Sequence, residues 1–153
     1  MTIEISPIKK QFEVKAPQKI AFEVFTEHMD SWWPRTHHIG STAMTELVLE
    51  PRVGGRWYSK HEDGTEVNVG TVLGWEPNSL LLLNWQIDGD FKYNPGLTTE
   101  VEVQFIPIDP ETTTVIFEHR NLDRLGSGKV IESMHSGWLQ ILELFKAVTE
   151  KNK

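Results

Sequence analysis

Polar and apolar residues alternate from 8 to 15 (IKKQFEVK), a period that predicts a strand. The spacing changes after Pro17. Ile20, Phe22, Val24 and Phe25 crowd into 18–26 and predict a short apolar helix. Pro17 suits its start, because a missing N–H costs nothing in a helix's first turn. A second short helix or turn is predicted over 28–33, stopped by Pro34 after Trp33. From 44 to 120 the period is two. Strands are predicted at 43–50, 55–61, 67–75, 79–86, 99–107 and 113–120, separated by Gly54-Gly55, Asp63-Gly64, Pro77-Asn78 and Asp109-Pro110. Connections this short make antiparallel neighbours.

Residues 130–150 return to helical spacing. Ile131, Met134, Trp138, Leu142, Phe145 and Thr149 form one stripe, and Glu132, Gln140, Glu143, Lys146 and Glu150 the polar face. About 20 residues make a helix of ~30 Å. It is the only predicted element long enough to cover the apolar face of a seven-stranded sheet. The expectation is an α+β layer of curved antiparallel sheet and long C-terminal helix, with two short helices after the first strand. A sheet curved around one helix can leave a cavity between them.

Charge and composition narrow the functions. The chain has 153 residues, 15 basic against 22 acidic side chains, and no cysteine. A net charge of −7 argues against a general nucleic-acid binder. The lack of cysteine removes disulfides, thiolate metal sites and a cysteine nucleophile. No run approaches the ~20 apolar residues of a membrane-spanning helix, and MTIEISPIKKQF lacks the pattern of a secretory leader. A soluble, cytoplasmic, single-domain protein over 1–153 is expected. Six tryptophans exceed what a small core needs, so some are expected to wall a pocket.

Trp33, Trp85, Phe117, Met134 and Trp138 are the candidates for that wall. His119 follows Val115 and Phe117 at alternate positions and so faces the same side. It either meets a ligand, as a group that titrates near neutral pH, or is a buried histidine satisfied by a backbone carbonyl or a tyrosine. His135, at the edge of the apolar stripe, is either cavity lining or a half-exposed helix residue. Arg56 and Glu66 can pair across neighbouring strands. Facing the cavity they would anchor a ligand's carbonyl or carboxylate; exposed, the pair is worth only ~0–1 kcal/mol. Without a bulge, Val67, Val69, Thr71 and Leu73 share the face opposite Glu66 and Asn68.

Other motifs carry less. Gly54-Gly55 reads as a turn or close approach, and no lysine and helix start follow to make a phosphate loop. No cofactor is expected. His37 and His38 are adjacent, a spacing that rarely binds one metal, and no metal site is expected. Ser133 and His135 fall about 200° apart on a helix and make no dyad. Gly137, a cost of ~1 kcal/mol in mid-helix, marks a bend or a close approach beside Trp138.

The ordered set of Phe25 through Trp32-Trp33-Pro34, Glu50-Pro51-Arg52-Val53-Gly54-Gly55-Arg56-Trp57-Tyr58, Asp63-Gly64, Gly70-Thr71-Val72-Leu73-Gly74-Trp75-Glu76-Pro77, Leu82 through Trp85, Val101 through Phe105, Glu118-His119-Arg120 and Gly137-Trp138 carries a resemblance. It resembles the SRPBCC superfamily (START-like, or Bet-v-type), and within it the branch related to the C-terminal domain of the activator of the ninety-kilodalton heat-shock-protein ATPase. The resemblance implies the helix-grip fold and a deep, mostly apolar cavity under the last helix. The co-chaperone itself has a further N-terminal domain that engages the chaperone, whereas this sequence opens on the first strand of the grip.

The leading expectation is a protein that binds a small apolar or aromatic molecule in that cavity, as a monomer or homodimer, with His119, His135, Arg56 and Glu66 as its polar groups. One alternative is an interaction protein that stimulates a chaperone ATPase. Another is a cyclase- or hydrolase-like enzyme with His119 or Glu66 as general acid–base.

Overall fold

The computed structural model of the chain describes residues 6–125 and 128–151, with side chains at 128–130 left aside. Residues 1–5, part of the stretch read for a leader, lie outside them. The strands are β1 (Ile8–Val14), β2 (Met44–Leu49), β3 (Arg56–His61), β4 (Glu66–Glu76), β5 (Leu80–Trp85), β6 (Thr99–Asp109) and β7 (Thr112–Arg120). The helices are α1 (Gln18–Thr26), α2 (Met29–Trp32) and α3 (Gly128–Lys151). A 3-10 turn over Leu122–Leu125, which the periodicity does not announce, leads into α3.

Each element stops where local chemistry stops it. Pro17 precedes α1, and its carbonyl accepts the N–H of Ala21 at 3.0 Å. Trp33 leaves α2 with ψ 127°, the extended setting that a following proline imposes. Gly54 takes φ 82° in the turn between β2 and β3, a left-handed setting that side chains resist.

All seven strands form one antiparallel sheet in the order β1-β7-β6-β5-β4-β3-β2. Among the described residues only the β1–β7 pairing joins strands distant in sequence; the others are hairpin neighbours. The register shifts opposite Trp57/Tyr58 and again between Val72 and Gly74, so β4 carries two bulges. Bulges bend a strand and sharpen its twist, and the sheet curls into a half-barrel around α3.

The bulges also correct one expectation. Val67 pairs with Ser59, and Val69 and Val72 are buried, but Thr71 pairs with Arg56 on the outer face and Leu73 is 40% exposed. An odd residue in a strand exchanges its two faces. Gly70 sits at this bend. A Cβ there would lie 1.5 Å from the carbonyl oxygen of Asn84, so the close approach of β5 requires glycine.

The interior has two aromatic groups. Around the C-terminal half of α3, Phe145 meets Phe12, Phe25 and Trp32 at ring-centroid distances of 5.0–6.3 Å. Phe22 and Phe105 extend this packing. This end of the grip is filled. Around the middle of α3 the packing is tryptophan: Trp33, Trp57, Trp85 and Trp138 meet in edge-on or tilted pairs at 5.6–6.0 Å.

A half-barrel leaves two strand edges. At the β2 edge, the N–H of Leu47 donates to Asp30 Oδ1 at 2.8 Å, and Arg35 holds that oxygen at 2.7 Å. Just past the end of β1, the N–H of Lys15 donates to Glu150 Oε2 of α3 at 2.9 Å. On the outer face, Arg120 ties together Glu100, Glu102 and Glu118 at 3.0–3.3 Å, and Lys9 joins Glu118 at 3.2 Å. Among the described residues no helix is long and apolar enough to cross a membrane.

Candidate functional site

Where the tryptophan group meets α3, the interior does not close. A cavity of about 300 Å³ lies between α3, the end of β5 and the segment after α2. On the helix side its wall is Ser133, Met134, Gly137, Trp138 and Ile141; on the sheet side it is Trp85 and Ile87. Trp33 and the stretch Thr36–Ile39 form the third wall, and Phe91 stands at the mouth, 57% exposed.

Local hydrogen bonds set these walls. The N–H of His37 donates to Pro34 O at 3.0 Å, closing a turn, and Trp33 Nε1 donates to His37 O at 2.7 Å. Phe91 belongs to a small hairpin after β5. Ile87 and Tyr93 bridge, the N–H of Phe91 donates to Asp88 O, and Asp88 Oδ1 accepts the N–H groups of Asp90 and Lys92. That tight turn holds Phe91 at φ 58°.

The indole N–H groups are mostly engaged away from the cavity. Trp85 donates to Ile87 O at 3.2 Å, and Trp138 donates to His119 Nδ1 at 3.1 Å. The cavity therefore presents bare aromatic faces and edges with few polar atoms.

His119 lies behind this wall. It is 0% exposed, with its ring 5.4 Å from that of Trp85 and 6.0 Å from that of Trp138. Its tautomer follows from its partners. Trp138 donates to Nδ1, so the ring proton sits on Nε2 and goes to Thr99 Oγ1 at 2.8 Å; the Thr99 hydroxyl in turn donates to Trp85 O at 3.1 Å. Both nitrogens are engaged, and burial pushes the pKa of His119 from 6.5 down to about 3. The imidazole is a neutral structural pin. It is a buried, satisfied histidine, but its partners are a tryptophan and a threonine, not the backbone carbonyl or tyrosine expected.

The candidates named from sequence thus separate. Trp33, Trp85, Met134 and Trp138 come together on the cavity wall. Phe117 is wholly buried behind Trp138, ring centroids 4.6 Å apart, and shares the second layer with His119. His135 is exposed on α3 and does not reach the cavity. Arg56 and Glu66 do pair, at 3.2 Å, but on the outer face of the sheet with both side chains 44% exposed. Arg56 also donates to Asn68 Oδ1 and lies 3.9 Å over the Tyr58 ring. An anchoring role in the cavity does not suit that position, because Trp57 takes the inward direction at this point of β3.

Periodicity alone did not single out several wall residues. His37, His38, Ile39 and Phe91 sit in connections with no repeat, and the adjacent His37-His38 reads from sequence only as a candidate metal pair. His38 instead stands edge-on to His61, ring centroids 5.2 Å apart. The signal for Phe91 was the turn-rich Asp88-Gly89-Asp90 within a β5–β6 connection longer than most.

A seven-stranded antiparallel half-barrel gripping a long C-terminal helix defines the SRPBCC helix-grip class. The family model described as "Activator of Hsp90 ATPase homolog 1-like protein" matches residues 15–150, and the chain belongs to that family. Among solved structures, the anthrahydroquino-γ-pyrone synthase Txn09, complexed with a ligand named SUM, is 34% identical (TM-score 0.61), covering 97% of this chain and 90% of that one. The self-sacrificing resistance protein CalC from Micromonospora echinospora is 27% identical (TM-score 0.72), covering 95% of each chain. The HSP90 activator from Plasmodium falciparum is 17% identical (TM-score 0.65), covering 93% of this chain and 94% of that one, a likeness of fold. No curated protein matches the chain.

Proposed function

We propose that this protein binds a small aromatic molecule in the cavity between α3 and the end of β5. The observation that carries the reading is the wall: Trp33, Trp85, Trp138 and Phe91 surround about 300 Å³ whose polar atoms are few. An apolar cavity of ~150 Å³ accepts benzene, so this volume suits about two fused rings, or one end of a longer ring system. Affinity would come from buried apolar area and ring stacking. One relative fits the reading, the protein named as an anthrahydroquino-γ-pyrone synthase.

The test is a titration of the purified protein with 2-naphthol and with anthraquinone, followed by tryptophan emission and native mass spectrometry. Saturable one-to-one binding is expected, weakened at least about tenfold by Gly137→Leu, which fills the cavity from the helix side. Absence of saturation with both compounds sinks the reading.

The family match favours a second reading, a chaperone partner. It predicts stimulation of a ninety-kilodalton heat-shock-protein ATPase in a coupled assay, undiminished by Gly137→Leu. The two enzyme assignments made from sequence lose their geometry, since His119 is fully engaged behind the wall and Glu66 lies on the outer face.

A further inference from the structure

We infer that His37 determines which aromatic molecules the cavity accepts, by hydrogen bonding to an oxygen on the ligand's ring edge, either a phenolic hydroxyl or a ring carbonyl. This rests on the proposed cavity-binding function and adds the polar group that reads the ligand.

Three observations converge on His37. The first is a narrowing of the wall's polar atoms. Trp33 Nε1, Trp85 Nε1 and Trp138 Nε1 are spent on His37 O, Ile87 O and His119. His38 Nδ1 donates to Ile39 O at 3.2 Å and its ring stands edge-on to His61, so beside His37 only Ser133 Oγ and His38 Nε2 stay open among the described side chains of the wall. His37 Nδ1 meets Thr36 Oγ1 at 3.1 Å, but among the described residues His37 Nε2 has no hydrogen-bond partner. The second is positioning. The Pro34–His37 turn and the indole bond from Trp33 hold the backbone of His37, and Thr36 holds one side of its ring. A recognition group fixed before binding loses little freedom on binding.

The third is the space opposite. Gly137 faces this ring from α3, and a Cβ there would lie 3.8 Å from His37 Cδ2 and 3.9 Å from Nε2. At this position the helix puts no side chain over the ring. Its glycine, unfavourable in mid-helix by propensity, keeps that corner open.

The Thr36 hydroxyl makes the recognition two-way. When Nδ1 carries the proton and donates to Thr36, Nε2 accepts from a phenolic hydroxyl. When Thr36 donates to Nδ1, the proton sits on Nε2 and goes to a carbonyl oxygen. Burial lowers the pKa of His37 and keeps the ring neutral, which both arrangements need.

Equilibrium dialysis at pH 7.5 with 2-naphthol and 2-methylnaphthalene tests the inference, because the two differ by hydroxyl against methyl at nearly equal size. The readout is the ratio of their Kd values, which cancels general apolar affinity. In His37→Phe the ratio is expected to move toward the hydrocarbon by about two- to tenfold, the range of one net neutral hydrogen bond. His37→Gln, which keeps a donor and an acceptor, is expected to recover part of the shift. An unchanged ratio in His37→Phe, with 2-methylnaphthalene still bound as by wild type, overturns the inference. So does a shift that appears in Ser133→Ala or His38→Phe instead. Failure of the cavity reading itself looks different: neither compound saturates the wild type, or Gly137→Leu leaves both affinities intact, and either result removes both proposals.

Discussion

His119→Gln isolates the thermodynamics of the buried imidazole. Glutamine keeps an acceptor for Trp138 Nε1 and a donor for Thr99 Oγ1, but it does not titrate. In the unfolded chain His119 takes up a proton below about 6.5, while in the fold burial delays this to about 3. Between those values the unfolded state binds more protons, so native stability falls as pH falls through 6.5 and is fully present above it. The single-site linkage relation gives a loss of about 2 kcal/mol at pH 5 and about 3 kcal/mol at pH 4, relative to pH 7.5.

The assay is urea unfolding of wild type and variant at pH 7.5 and 5. His119→Gln is expected to start lower by about 1–3 kcal/mol, because its hydrogen bonds are less well aligned. The gap between the two proteins should then shrink by about 2 kcal/mol at pH 5, since only wild type carries this term. Other titrating groups are common to both and cancel. A gap that stays constant within about 0.5 kcal/mol would falsify the claim that His119 is buried, neutral and held by two hydrogen bonds.

Two glycines should respond in opposite directions. Gly70→Ala puts a methyl 1.5 Å from a backbone oxygen that cannot give way, and a loss of about 3 kcal/mol or more is expected in chemical denaturation. Gly137→Ala places its methyl at an ordinary contact distance from His37 and should stabilise α3 by up to about 1 kcal/mol, read as a higher melting temperature. Phe145→Ala removes a wholly buried ring packed against Phe12, Phe25 and Trp32, at about 3–5 kcal/mol. The Arg56–Glu66 pair is half exposed; a double-mutant cycle should give under about 1 kcal/mol, shrinking with salt, and neither variant should change affinity for 2-naphthol.

Strong periodicity made the elements legible. The alternation of 113–120 and the stripe from Ile131 to Thr149 each admit one reading, and burial in the fold follows both. The bulges in β4 were not legible. Val69, Val72 and Leu73 are all apolar, so the alternation cannot show where the odd residue sits, yet that residue turns Leu73 outward. The cross-strand partnership of Arg56 and Glu66 was visible from their positions, but which face they take was not.

The candidate site divides in the same way. Trp33, Trp85, Met134 and Trp138 lie on or beside regular elements, and their period or their number drew attention. The partner of His119 is an indole 19 residues away on another element, a pairing that only tertiary packing creates. His37 and Phe91 sit in turns, where direction is set by individual hydrogen bonds such as Trp33 to His37 O. No repeat encodes those.

The two carboxylates at the margins of the sheet bear on how this chain meets other copies of itself. An open sheet offers unpaired N–H groups as a template on which a further strand can assemble. At the β2 edge one such donor, on Leu47, is already taken by Asp30, and at the other margin Glu150 takes the N–H of Lys15. A strand arriving at either place must displace a charged acceptor from the backbone N–H it already holds. The curl that creates a cavity also exposes two margins, and each is blunted against strand-by-strand self-association by an acid from a neighbouring helix.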